Sequence, residues 1–423
     1  MWISIDLHKV CGHWHSTRSD AFCRLSLREM AASKIEFEHN ASTSVNVVRP
    51  LRAATGALTT TIAVSVPVFL VGGLAVQLGD DLNFSPAGLG LAVSAYFGVS
   101  ALASIPAGAL VERYGAVRIS RLGIGLAAAS MLGIALFASA LWSLIAILAL
   151  GAGANAMGQL ASNTSLSRHV PPGRQGLSFG VKQAAIPVST LLAGAAVPTV
   201  ALTLGWRWAF ALVAFLALMA VFLVPGSRDS PTVPDKSEKR ATGALVVVGL
   251  AATLAAASAN ALGTFLVDSA VARGISPGSA GLALTLGSAV CVTARILGGW
   301  QADRRPGRQV GVISGLLACG AAGLLLLAVP GQVALVAGVV LGFGFGWAWP
   351  GLMNFAVVRL HPQAPAAATS ITQTGVYAGG CIGPLGLGTL ATVVGYPAMW
   401  LTAAGAMVGA AALMLVGSRL LKR

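Results

Sequence analysis

From residue 52 onward the chain alternates between long apolar stretches and short segments that carry most of the charge. A helix crossing a hydrocarbon core about 30 Å thick needs roughly 20 mostly apolar residues, each rising about 1.5 Å. On that scale the pattern predicts twelve helices. They are α1 Thr55–Leu78, α2 Ala87–Val111, α3 Ile119–Ala138, α4 Leu141–Leu166, α5 Leu177–Ala201 and α6 Trp208–Val224, then α7 Ala244–Val267, α8 Ala280–Gln301, α9 Val310–Val329, α10 Val333–Val358, α11 Ala366–Val394 and α12 Ala398–Val416. Helices are expected because lipid offers a backbone amide no partner outside its own segment. The alternating ten-residue pattern of a membrane barrel is absent.

Composition agrees with the pattern. The chain is 56% hydrophobic and 9% charged, against about 45–50% apolar and about 25% charged in an average soluble domain, so a soluble fold is excluded. A net charge of +14 would suit nucleic acid only if the charge were concentrated on one face, and here it is scattered between apolar runs. Its position in the loops is informative instead. The loops after α2, α4, α6, α8 and α10 carry 13 Lys and Arg, whereas the opposite loops carry Arg207 and Arg273 alone. By the positive-inside rule both termini are expected in the cytoplasm. Residues 1–51 are polar and read as a disordered cytoplasmic tail, with Met30 as an alternative start of translation. They lack the apolar core of a signal peptide. Cys11, His13, His15 and Cys23 could bind zinc, but an unstructured tail is the better reading. Cys291, Cys319 and Cys381 lie in apolar runs and read as buried free thiols.

Sliding the chain along itself exposes a long repeat. A shift of 191 places Ser85-Pro86 on Ser276-Pro277, Gly90-Leu91-Ala92 on Gly281-Leu282-Ala283, and Glu112-Arg113 on Asp303-Arg304. It also carries Gly151, Gly153, Asn163, Arg168 and Pro171 onto Gly342, Gly344, Asn354, Arg359 and Pro362. A shift of 190 places Gln183 on Gln373 and Gly205 on Gly395. Two six-helix halves, 52–225 and 243–423, are therefore expected around a polar central loop at 226–242.

Two segments, GALVERYGAVR at Gly108–Arg118 and GWQADRRPGR at Gly299–Arg308, resemble the loop signature of the major facilitator superfamily of secondary transporters. The first copy departs from that signature in Glu112, where aspartate is usual, and in Ala116 and Val117, where basic residues are common. The resemblance spans residues 52 to 423. It implies an all-α membrane protein of twelve helices in two pseudo-symmetric halves that transports by alternating access, with Glu112, Arg113, Asp303 and Arg304 as gating candidates.

The candidate site follows from what the helices contain and what they lack. No Asp, Glu or His lies well inside a predicted span, yet Lys182 sits in α5 and Arg295 in α8. A basic side chain at mid-helix costs roughly 2.5–3.5 kcal/mol on insertion scales. With no acid available as partner, a bound anion is the expected counter-charge, against a plainer reading in which both side chains reach for the interface. A helix 8 arginine is also an anion contact in several carriers of the family that the chain resembles. Asn155, Gln159 and Asn163 in α4, Gln183 in α5, Asn260 in α7, Asn354 in α10, and Gln373 and Tyr377 in α11 add polarity where it is expensive. Of these, Asn155, Gln159, Gln183, Asn260, Asn354, Gln373 and Tyr377 are expected to line the solute path with the two cations. Trp347 and Trp349 could wall it, although close packing explains them as well, and Gly342, Gly344, Gly346 and Pro350 make α10 bendable. Trp206, Trp208 and Trp400 read as an interfacial belt.

The expected function is secondary transport of a small organic anion such as a carboxylate. If protons are coupled, they ride on the solute or use Asp268. An exporter of neutral hydrophobic compounds or drugs is the alternative, and a non-transporting sensor a more distant one. No enzyme is expected, since neither HExxH nor GxxxxGK[ST] occurs. No cofactor or metal is called for. The expected partners are the solute and membrane lipid, not nucleic acid, with the chain a monomer in a bacterial-type inner membrane.

Overall fold

The computed structural model describes residues 50–72, 74–83, 86–224, 242–275, 277–305, 307 and 309–421. The expected tail up to residue 49, with Met30 and its Cys and His residues, and loop residues 226–241 lie outside the described residues. The side chain of Asp268 is likewise not described.

Every regular element among the described residues is helical. The helices are α1 Pro50–Gly72, α2 Pro86–Tyr114, α3 Ala116–Phe137, α4 Leu141–His169, α5 Gln175–Ala196 and α6 Trp206–Ala220, then α7 Thr242–Val271, α8 Pro277–Arg304, α9 Gln309–Ala328, α10 in pieces from Gln332 to Leu360, α11 Pro365–Val393 and α12 Tyr396–Leu420. Eleven of the described helices are long and apolar enough to cross a membrane, and α5 completes the twelve.

Three helices differ from the sequence expectation. α1 stops at Gly72, before a turn at Leu74 and a short helix Ala75–Leu82, because adjacent glycines weaken the helix where the pattern alone would continue it. α5 widens into a π-turn over Val197–Ala201, where Pro198 supplies no N–H to the ladder. α10 is broken: helix Gln332–Leu341, π-turn Gly342–Gly346, a turn at residues 347–349, then helix Pro350–Leu360. Gly205 (φ 97°) and Gly395 (φ 103°), mates in the repeat, make the turns into α6 and α12, a conformation that L side chains rarely adopt.

Apolar side chains form two large clusters that follow the repeat. One lies entirely within residues 63–224, and the other draws mainly on residues 245–414. In the first half α3 packs on α4 and α6, and in the second α9 packs on α10 and α12. The halves meet where α2 lies on α11 and where α5 lies on α8 and on the second part of α10. Within the second half, Gly375, Gly379 and Gly383 give α11 a bare face, and a methyl on any of them would run into the backbone of α7 at Gly249, Thr253 or Ala257. Large apolar side chains such as Leu102 (82% exposed), Phe222 (82%) and Val333 (84%) face outward, as lipid contact requires and water would penalise.

The tryptophan and cysteine expectations need correction. Trp206 and Trp400 are buried within the protein, so they do not present their rings to lipid, while Trp208 is exposed. Trp206 Nε1 donates to Asp81 Oδ2 at 2.6 Å. Cys319 is exposed, not buried. Arg207 and Arg273, the two cations in the sparsely charged loops, donate to backbone carbonyls at the last turns of α3 and α9. Arg207 takes Ala135 O (2.9 Å) and Ala138 O (2.8 Å), and Arg273 takes Val329 O (3.0 Å) and Leu327 O. They satisfy helix ends whose dipole favours a cation.

Candidate functional site: a polar cavity between the halves

The repeat places α1, α2, α4 and α5 of one half opposite α7, α8, α10 and α11 of the other, and among the described residues these eight helices line a central cavity. Its enclosed free volume is about 80 Å³, well below the usual range for small-molecule sites, so the halves must part for a whole organic solute to enter. No described residue of α3, α6, α9 or α12 lines it.

Three amides spaced four apart on α4 begin the site. Asn155 Nδ2 donates to Ser100 Oγ on α2 (3.5 Å), and Gln159 Nε2 donates to Ser65 Oγ on α1 (3.2 Å). Gln159 Oε1 accepts from Lys182 Nζ at 2.5 Å, and Asn163 Oδ1 accepts from the same ammonium at 2.9 Å. Lys182 is 1% exposed. It does not turn outward to the interface, and it stands behind the cavity wall rather than on it.

Arg295, 2% exposed, is on the wall and joins the two halves. Nη1 donates to Gln183 O of α5 at 2.6 Å, while Nε (3.1 Å) and Nη2 (2.8 Å) both donate to Trp347 O in the break of α10. The Trp347 ring lies 5.8 Å from the guanidinium. Both carbonyls are in reach for a reason written in the chain. Pro187, four residues after Gln183, has no N–H to claim the Gln183 oxygen. Trp347 lies between the two helical parts of α10. Of five guanidinium N–H donors, these bonds use three, and the Cys291 side chain stands close to the same group.

Four further polar atoms on this wall, Asn155 Oδ1, Gln183 Oε1, Tyr377 OH and Trp349 Nε1, make no well-formed hydrogen bond among the described residues, although the Tyr377 hydroxyl lies near the Asn155 and Gln373 amides. Buried polar groups are rarely left so, and here they converge on one space. Asn260 lines the cavity but bonds back to Ala256 O (2.7 Å), and Gln373 lines it too. Asn354, grouped with the solute-contacting residues on sequence alone, is fully buried away from the wall with both amide atoms unpaired. We have no physical account of that.

At the arginine-rich end the halves are clasped twice. Glu112 Oε1, at the end of α2, accepts from the Ala367 N–H at the start of α11 (2.9 Å). The Asp303 carboxylate, at the end of α8, accepts from the Gly176 (2.6 Å) and Leu177 (2.8 Å) N–H groups at the start of α5. Glu112 and Asp303 are 191 residues apart, as are Gly176 and Ala367, so one clasp is the repeat image of the other. Arg113 stacks on Tyr114 (5.3 Å) and Arg304 on Trp300 (3.8 Å).

The serines were missed on sequence, as was Phe97, which stacks on Tyr377 with centroids 6.1 Å apart. Ser and Thr are common in these helices, and many bond their own backbone, as Thr60 does to Gly56 O and Thr61 to Ala57 O. Nothing in the sequence separates Ser65 and Ser100 from that group. The Gln183–Pro187 spacing, by contrast, was a readable signal for a free carbonyl.

A family model described as Major Facilitator Superfamily matches residues 54–249 and 248–420. Proteins named as uncharacterized MFS-type transporters from Burkholderia mallei and Burkholderia pseudomallei are 28% identical over 356 residues, covering 80% of this chain and 84% of theirs. Among solved structures, the proton:xylose symporter XylE bound to 6-bromo-6-deoxy-D-glucose aligns with a TM-score of 0.74 at 16% identity, covering 88% of this chain and 96% of that one. The human organic anion transporter TETRAN aligns with a TM-score of 0.66 at 17% identity, covering 89% and 99%. At these identities the structural matches speak to the fold alone.

Proposed function

The chain belongs to the Major Facilitator Superfamily, and on that footing we propose that it moves a small organic anion across the membrane by alternating access between its two halves. The observation that carries this reading is Arg295: a buried cation on the cavity wall, held by neutral carbonyls, with no described carboxylate among the cavity-lining side chains. A carboxylate would supply both the counter-charge and a planar pair of acceptors for a guanidinium. The side-chain oxygens of Gln183, without a partner among the described residues, and of Asn155, near the Tyr377 hydroxyl, can accept from donors on the solute, which favours a carboxylate that also bears hydroxyl or amino groups.

That same pair of oxygens supports a second reading, an uncharged polyhydroxy compound. XylE is titled a proton:xylose symporter and TETRAN an organic anion transporter, so the fold accommodates both classes. Proton coupling, if it operates here, uses an ionisable group on the solute or Asp268. Uptake with unchanged proton dependence in Asp268→Asn would remove that residue. The arginine-rich end is taken as cytoplasmic, in an inner membrane of bacterial type.

The test is a thermal-shift screen of the purified protein against hydroxycarboxylates, simple carboxylates, inorganic oxyanions, sugars and drugs, repeated with Arg295→Ala. Stabilisation by carboxylates that disappears in Arg295→Ala is the expected result. Stabilisation only by uncharged compounds, unaffected by the substitution, would overturn the anion and leave the transporter standing.

A further inference from the structure

A second cavity lies away from the solute site, between α8, α9 and the break of α10. With its open mouth it amounts to about 1510 Å³. It runs along α8 from Ala289 to Arg305, about 24 Å at the helical rise, whereas one leaflet's hydrocarbon is about 15 Å deep. Most of its length is apolar, lined by side chains that face outward such as Leu297 (56% exposed), Val312 (52%) and Phe345 (37%). Apart from Thr293, whose hydroxyl donates to the Ala289 oxygen, the polarity is gathered at the arginine-rich end, in Gln301, Gln309 and Arg305.

Arg305 is exposed, and no hydrogen bond or ion pair of its guanidinium is found among the described residues. Gln309 Nε2 reaches only the Arg305 backbone oxygen, at 3.5 Å. Beside them Arg304 covers the half-exposed ring of Trp300 at 3.8 Å, a pairing that marks the headgroup level. One end of the groove thus offers an unengaged cation and the remainder offers hydrocarbon. A free oxyanion would use only the end, and a neutral hydrophobic compound only the rest.

We infer that this groove holds a phospholipid with an anionic headgroup, its phosphate on Arg305 and an acyl chain along α8 and α10. Basic sites between helices at the cytoplasmic leaflet are suited to such headgroups. The position has a consequence for transport. Gly344, Phe345 and Ala348 face this groove, while Trp347, Trp349 and Pro350 of the same break face the solute cavity. Trp347 O holds Arg295. The acyl chain therefore packs against the back of the segment that positions the cation, and a lipid bound there stabilises the arrangement in which Arg295 is presented to the cavity. None of this depends on the identity of the solute.

The experiment is native mass spectrometry of the delipidated full chain titrated with phosphatidylglycerol or phosphatidylcholine. One phosphatidylglycerol is expected to be retained at concentrations where phosphatidylcholine is not, and equimolar inorganic phosphate is expected not to displace it. Arg305→Gln should weaken retention about fivefold. Arg118→Gln, which removes an exposed arginine at the same end of the other half, should leave it unchanged. Leu297→Trp, which fills the groove, should abolish it, and if that variant fails to fold the Arg305→Gln and Arg118→Gln pair decides alone. Equal retention of the two lipids, displacement by phosphate, or equal losses in Arg305→Gln and Arg118→Gln would overturn the proposal.

Discussion

Arg295 bonds one carbonyl on each half of the molecule, Gln183 O and Trp347 O, so its guanidinium tethers the halves while standing on the cavity wall. A lysine keeps the charge but has a single nitrogen, which cannot reproduce the planar fork. Arg295→Lys is therefore expected to lower the apparent affinity for transported anions by about tenfold or more, the loss of one charge-assisted hydrogen bond, as measured by uptake into vesicles. Lys182 has a different role. Its ammonium is clasped by Gln159 and Asn163 behind the wall, and a buried charge stripped of a partner is costly. Gln159→Leu should destabilise the protein by about 2–3 kcal/mol, and the double substitution Gln159→Leu with Lys182→Met should recover most of that. Additive melting-temperature losses would show that the two side chains are not coupled.

Helix ends and helix crossings govern the clasp at the arginine-rich end. Gly180 of α5 sits against the Arg295 carbonyl oxygen of α8, and Gly299 of α8 against the Gly176 oxygen of α5, so the helices touch backbone to backbone. Gly180→Val would force them apart; transport should fall to near background while expression and fold persist, which vesicle uptake and circular dichroism would report. The two carboxylate caps act with that contact. Charge-retaining caps on helix N-termini are worth about 1 kcal/mol each. Glu112→Gln and Asp303→Asn are each expected to favour opening at this end by about fivefold, read as faster alkylation of a cysteine introduced at Met353. An unchanged rate in both variants would mean that the caps only anchor the loops.

At the scale of the molecule, alternating access requires the halves to separate at the end where they are now closed. Gly108 of α2 faces Ser370 of α11 across that seam, with a Cβ at Gly108 meeting the Ser370 Cβ at 3.0 Å, so a shift of several tenths of an ångström would bring the pair to the roughly 3.5–4.5 Å of a disulfide. In a chain whose own cysteines are replaced by serine, Gly108→Cys with Ser370→Cys should stop uptake on oxidation and restore it on reduction. Uptake that continues through a verified cross-link would exclude a rocking motion at this seam.

The sequence by itself determined the twelve apolar spans, the duplication, the two loop signatures and the isolation of Lys182 and Arg295 from any acid in the spans. Each follows from local chemistry: hydrocarbon thickness sets span length, and a charge inside a span is visible wherever it points. Tertiary structure alone decided what those cations touch. Residues distant along the chain supply Arg295 with the oxygens of Gln183 and Trp347, and Lys182 with two amides of α4, partners set by helix rotation and by the break in α10. The same holds for the clasps, where a carboxylate from each half finds the helix start of the other. Hydropathy records how apolar a helix is but not which way it faces. The facing of eight helices made the cavity, placed Ser65 and Ser100 beside it, and left Asn354 and Lys182 off its wall.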